Sequence, residues 1–151
     1  MTVPESPTAD DAALSARVAP EPGGLLALRL LLSVIYSDER NAYPITVVVD
    51  GAIVSGLVVH PAVWYRALIE QARGQDELRA ADAIPGLFEG LAEHMAEAPP
   101  PDADDIETIF FGKAMVTSPR ATGQMAYEEI ACWQVKLSHV SAWTIGLPPS
   151  G

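Results

Sequence analysis

The sequence predicts an α+β protein: a small antiparallel, barrel-like sheet of about five strands, preceded by an N-terminal helix and interrupted by a helical insertion. Three observations carry that expectation. The run from Leu25 to Tyr36 is apolar on nearly every side and interrupted by Arg29. Two β-branched stretches then flank Asp50-Gly51, a dipeptide suited to a tight hairpin. Finally, two helical patterns are followed by a last third in which every segment reads as strand. The order helix, hairpin, two helices, three strands suits an antiparallel domain better than an alternating parallel array.

Each element has its own local reason. Leu25, Leu26, Leu28, Leu30, Leu31, Leu32, Val34 and Ile35 predict a helix buried on most faces, with a strand as the competing reading because so short an apolar run does not settle its period. Ser37-Asp38-Glu39-Arg40-Asn41 ends it as a polar turn. Ile45 to Asp50 and Ala52 to Val59 form the hairpin, whose turn needs positive φ at Asp50 and Gly51. Ile53, Leu57 and Val59 fall on one face of the return strand and Val54 and Val58 on the other, so neither face is expected to stand fully in water. Gly56 removes a side chain in mid-strand, a mark of a bulge or bend. Pro61 opens an amphipathic helix carrying Trp64, Tyr65, Leu68, Ile69 and Ala72 and ending at Gly74. The next helix sets Ile84, Leu87, Phe88, Leu91 and Met95 in one stripe opposite Glu89, Glu93 and Glu97, and Pro99-Pro100-Pro101 stops it. Strands are expected at Ile106 to Val116, Tyr127 to Val135 and Val140 to Leu147.

Bulk properties bound the rest. A chain of 151 residues that is 49% hydrophobic and 19% charged supports one domain with a sizeable core, placed at residues 24–147. Residues 1–23 hold Pro4, Pro7, Pro20 and Pro22 among small and acidic side chains and read as a disordered arm. The net charge of −11 repels phosphate backbones and anionic membranes alike, which argues against nucleic-acid and membrane partners. The longest apolar run falls short of the ~20 residues that a bilayer requires. With a single cysteine, and an N-terminus lacking a basic region followed by an apolar run, a cytoplasmic location is expected.

Residues able to do chemistry are sparse. Gly51 and Gly56 match no nucleotide-binding spacing, and Asp50-Gly51 joins two strands where a phosphate loop would join a strand to a helix. The histidines His60, His94 and His139 lie in three unrelated segments; His94 beside Glu93 and Glu97 offers one nitrogen ligand on a solvated face. Cys132 with His139 would make a nucleophile and base across neighbouring strands, yet Cys132 sits between Ala131 and Trp133 in an apolar strand, as a core thiol does. Glu128-Glu129 and Asp104-Asp105 are adjacent acids whose main effect is solubility. No cofactor or metal is expected. Phe110 and Phe111 are consecutive in a strand and so point to opposite faces, which makes one of them a candidate for a partner surface.

Taken together, the leading helix, the strand ending in Asp50-Gly51, the return strand through Ile53-Val54-Ser55-Gly56 and the aromatics Trp64-Tyr65 resemble the gas vesicle accessory protein U family. The closing segment from Trp133 to Gly146 is similar to that family's final hairpin, through Trp133, Lys136, Val140, Trp143 and Gly146. The likeness covers residues 25–75 and 106–147; the chain departs in its Pro-rich arm, its helical middle and Ser141-Ala142. It implies a non-enzymatic accessory factor supporting shell assembly or vesicle organisation and clustering. Its partners would be shell proteins, other accessory proteins or further copies of itself, in the cytoplasm or at the vesicle surface. Phe110, Phe111 and Trp143 are the residues expected to meet a partner. The alternative is a general peptide-binding or oligomeric scaffold using an exposed strand edge. The helix and hairpin also resemble an Sm-like barrel, whose RNA binding the net charge of −11 disfavours.

Overall fold

The computed structural model describes residues 25–74 and 83–147. The arm expected over residues 1–23 lies outside the described residues. In chain order the elements are α1 (Leu25–Ile35), β1 (Ala42–Val49), β2 (Ala52–Val59), α2 (Pro61–Arg73), α3 (Ala83–Glu97), β3 (Thr108–Pro119), β4 (Met125–Lys136) and β5 (Val140–Ile145). One-turn 3₁₀ helices at Ala103–Asp105 and Leu137–His139 lead into β3 and β5. The five strands form one antiparallel sheet in the order β4-β3-β2-β1-β5. The α+β class, the N-terminal helix and the helical insertion are therefore as the residues predict.

The hairpin follows its turn chemistry. Asp50 and Gly51 both have positive φ, 50° and 81°, which twists the two-residue turn to match its flanking strands. Gly56 has a steric role: a Cβ there would lie 2.1 Å from the Lys113 carbonyl oxygen of β3. Glycine at 56 thus lets β3 close on β2, next to the register shift between Leu57 and Val58. At the end of α1, Arg40 donates to the Asp38 carboxylate from its backbone and its guanidinium, holding that carboxyl down at about 2.

One core serves the sheet and α1. Leu25, Leu28, Leu32 and Ile35 of the helix pack on Ile45 and Val47 of β1, Val54 and Val58 of β2, Ile109, Phe111 and Ala114 of β3, Val135 of β4, and Leu137 and Val140 beyond it. The sheet is not closed, because β4 and β5 remain its two edges. A small closed barrel fills its interior with the strands' own side chains. Here the buried row of α1 occupies that interior, and the strands curl around the helix. Tyr36, just past α1, ties it to β3: its hydroxyl donates to the Thr108 carbonyl at 2.9 Å and accepts from the Phe110 N–H at 3.1 Å. Those two backbone groups lie on the part of β3 that extends past its pairing with β2. Burial pushes the phenol's pKa far up, so it keeps the proton that it donates.

Two expectations about burial are corrected. Helix α1 is buried along one face only, leaving Leu26, Leu30 and Val34 exposed, because the sheet covers a single side of it. On β2 neither face stands fully in water, as expected: Val54 and Val58 enter the core, and on the opposite face the exposed Ile53 and Leu57 flank the buried Ser55. In α3 the stripe loses Leu87, which points to solvent, while Pro85 and Ala92 are the buried positions.

Candidate interaction surfaces

The residues that looked able to do chemistry each have their own surroundings in the fold. His60 caps α2: its Nδ1 accepts the Ala62 N–H at 3.0 Å, and burial lowers the pKa of its imidazole. His139 turns toward Asp50 in the β1–β2 turn, with Nδ1 3.5 Å from the carboxylate. Cys132 is half-buried with its pKa raised by burial, opposite to the activation that a nucleophilic thiol requires. Its φ of +56° interrupts an otherwise extended strand. Glu129 pairs with Lys113 across β3 and β4 at 2.6 Å, and Glu128, Asp104 and Asp105 are exposed. Among the described residues no group of three or more His, Cys, Asp or Glu side chains is placed to hold a metal ion. Glu93, His94 and Glu97 lie together on the solvated side of α3.

The three residues expected at a partner surface have different fates. Phe111 is fully buried in the core and presents no ring to a partner, so its place as a contact residue is corrected. The alternation of a strand assigns it to the helix-covered face. Phe110 is half-buried on the opposite side, in an aromatic cluster made by α2 and the end of α1. Its ring stands edge-on to Tyr36 and Trp64, with centroids 5.9 and 5.4 Å away, and Tyr65 lies 6.2 Å off. Trp64 is anchored there by its indole N–H, which donates to the Phe111 carbonyl at 3.1 Å. Phe110 also lines a shallow groove of about 270 Å³ with Tyr36, Pro61 and Ile106, edged by Asp105 and Glu107. Trp143 is half-buried on β5, packed against the core cluster beside β1.

Sequence reasoning missed the larger apolar exposures. One is the α1 row Leu26, Leu30 and Val34. Another is the sheet face away from α1, where Ile53 and Leu57 of β2 and Met115 of β3 reach solvent around the buried Ser55. A third is a cleft of about 300 Å³ on the helix side, where Val54 and Val116 form the floor and Trp133 and His139 stand at the margin. The i, i+4, i+8 row in α1 is visible in the sequence, but a helix that is apolar all round does not reveal which row faces out.

These features define a class: a small α+β protein built around an open five-stranded sheet, whose described surface carries apolar patches and whose reactive side chains are dispersed. The chain belongs to the gas vesicle protein GvpU-like family, whose model matches residues 26–148. It is therefore a gas-vesicle-related protein. No curated protein and no solved structure matches it. Among the described residues no helix is long and apolar enough to cross a membrane.

Proposed function

We propose that this chain is a non-enzymatic gas vesicle accessory protein that supports shell assembly or the organisation and clustering of vesicles through protein–protein contacts, in the cytoplasm and at the vesicle surface. The observation that carries the reading is the family match over residues 26–148. The distribution of side chains supports it: apolar groups stand at the surface on α1, β2 and β3, while His60 caps α2, His139 faces Asp50 and burial raises the pKa of Cys132. Phe110 and Trp143, both half-buried, are the partner-contacting residues in this reading, and Phe111 supports them from the core. Partners are shell proteins, other accessory proteins and further copies of the chain.

Deleting the gene from an otherwise intact vesicle cluster is expected to change vesicle yield, shape or clustering. Unchanged vesicles on all three counts would overturn the proposal. A second reading, a general peptide-binding module, draws support from the 12-residue edge strand β4, which has no strand on its outer side among the described residues. Selective co-purification of vesicle proteins over unrelated peptides separates the two.

A further inference from the structure

The groove beside Phe110 joins an apolar lining to a charged edge. Tyr36, Pro61, Pro101 and Phe110 are among the residues around its volume of about 270 Å³, which is near the lower end of the ~300–1,000 Å³ in which small molecules and cofactors bind. It therefore has room for one or two side chains. Pro101 ends the run Pro99-Pro100-Pro101, so that wall is stiff before anything docks. Asp105 and Glu107 stand at the edge. Arg40, Arg66, Arg73 and Lys113 are each paired with other carboxylates, and neither Asp105 nor Glu107 has an ion-pair partner among the described residues. The guanidinium of Arg29 is turned to the intervening Ile106 carbonyl.

We infer that this groove takes a segment of a partner protein in which a Lys or Arg stands beside an apolar side chain, the apolar group lying against Phe110 and Pro101 and the cation meeting Asp105 and Glu107. The inference rests on the reading of Phe110 as a partner-contacting residue, and it gives that partner its chemistry. Charge selects the occupant. A chain with a net charge of −11 draws in a cationic segment and repels a second copy of itself, nucleic acid and anionic lipid. The lining separates such a segment from a bare cation, because only a side chain with an apolar stem or an apolar neighbour gains from covering Phe110 and Pro101. An aromatic wall also attracts an ammonium or guanidinium through its ring face. Both acids are exposed, so each ion pair is worth little alone and the contact is weak and reversible.

The test uses the full-length chain and three fluorescent peptides that share one Gly-Ser frame and carry Leu-Arg, Leu-Glu or Gly-Arg pairs, with binding read by anisotropy. The Leu-Arg peptide is expected to bind, to weaken as salt is raised, and to bind at least about fivefold tighter than either of the others. Replacing both edge acids, Asp105→Asn with Glu107→Gln, should weaken it at least about fivefold. Glu93→Gln with Glu128→Gln, an equal change of charge outside the groove's lining, should change it less than about twofold. A wild type that does not bind the Leu-Arg peptide overturns the inference. So does an equal loss in the two double variants, since the attraction would then belong to the net charge alone. Equal binding of the Gly-Arg peptide overturns it too, because the apolar lining would be unused, as does equal or tighter binding of the Leu-Glu peptide. Should the Asp105 and Glu107 double variant fail to fold, Glu107→Gln alone decides, with a loss of about threefold expected and no loss overturning the inference. The deletion strain scores the accessory role separately: altered vesicles without peptide binding would remove this inference alone, and unaltered vesicles with the expected binding would remove the accessory role alone.

Discussion

His60 shows how one side chain can link pH to the fold. Its Nδ1 must be unprotonated to accept the Ala62 N–H, and burial in the junction between β2 and α2 disfavours the imidazolium. Glu39 and Asp38 pull its pKa upward and Arg66 pushes it down, but burial dominates and the pKa falls below the ordinary ~6.5. The unfolded chain then binds more protons than the folded one as pH drops below about 6.5, so stability falls with acidification. Urea unfolding from pH 8 to 5 should show that decline. His60→Asn should flatten it while keeping the cap, and His60→Ala should cost about 1 kcal/mol at neutral pH. A wild-type curve that is flat over this range would contradict the assignment. Gly56 is the other single residue whose role is now concrete, since a Cβ there would meet the Lys113 carbonyl oxygen.

At the scale of elements, the link between α1 and β3 depends on Tyr36. Its hydroxyl satisfies a donor and an acceptor on a strand segment that β2 does not reach. Tyr36→Phe would leave the Thr108 carbonyl and the Phe110 N–H without that partner, at a cost of about 2 kcal/mol, read as a lower urea midpoint with unchanged slope. A change in slope would mean that α1 had detached. Element identities were legible because hairpin turn, proline and apolar period agree locally. Which face of α1 is buried was not, since Leu26 and Leu28 are the same residue type and only the sheet distinguishes them. Phe110 and Phe111 were rightly set on opposite faces by alternation, but α2 decided that the outward ring would be packed among Tyr36, Trp64 and Tyr65.

For the whole molecule, charge and apolar exposure oppose each other. The net charge of −11 keeps copies apart, and the α1 row with Ile53, Leu57 and Met115 draws apolar surfaces together. Raising salt from 0.1 to 1 M shortens the screening length from about 10 to about 3 Å, so self-association should rise with salt. Light scattering that is flat or falls over that series would count against it. The same balance explains why the candidate surfaces were only partly legible: composition reports how much apolar surface a chain carries, not where burial runs out.

By itself the sequence determined the antiparallel α+β class, the reversal at Asp50-Gly51, the helix after Pro61 and the family resemblance. Each depends on neighbours within a few residues or on a motif kept in order along the chain. Only the tertiary structure decided that the sheet stays open, that Phe111 is core, and that Leu26, Leu30 and Val34 face outward. Those outcomes turn on how much of each element the others can cover. One helix laid on one side of an open sheet leaves part of each element's apolar surface in water.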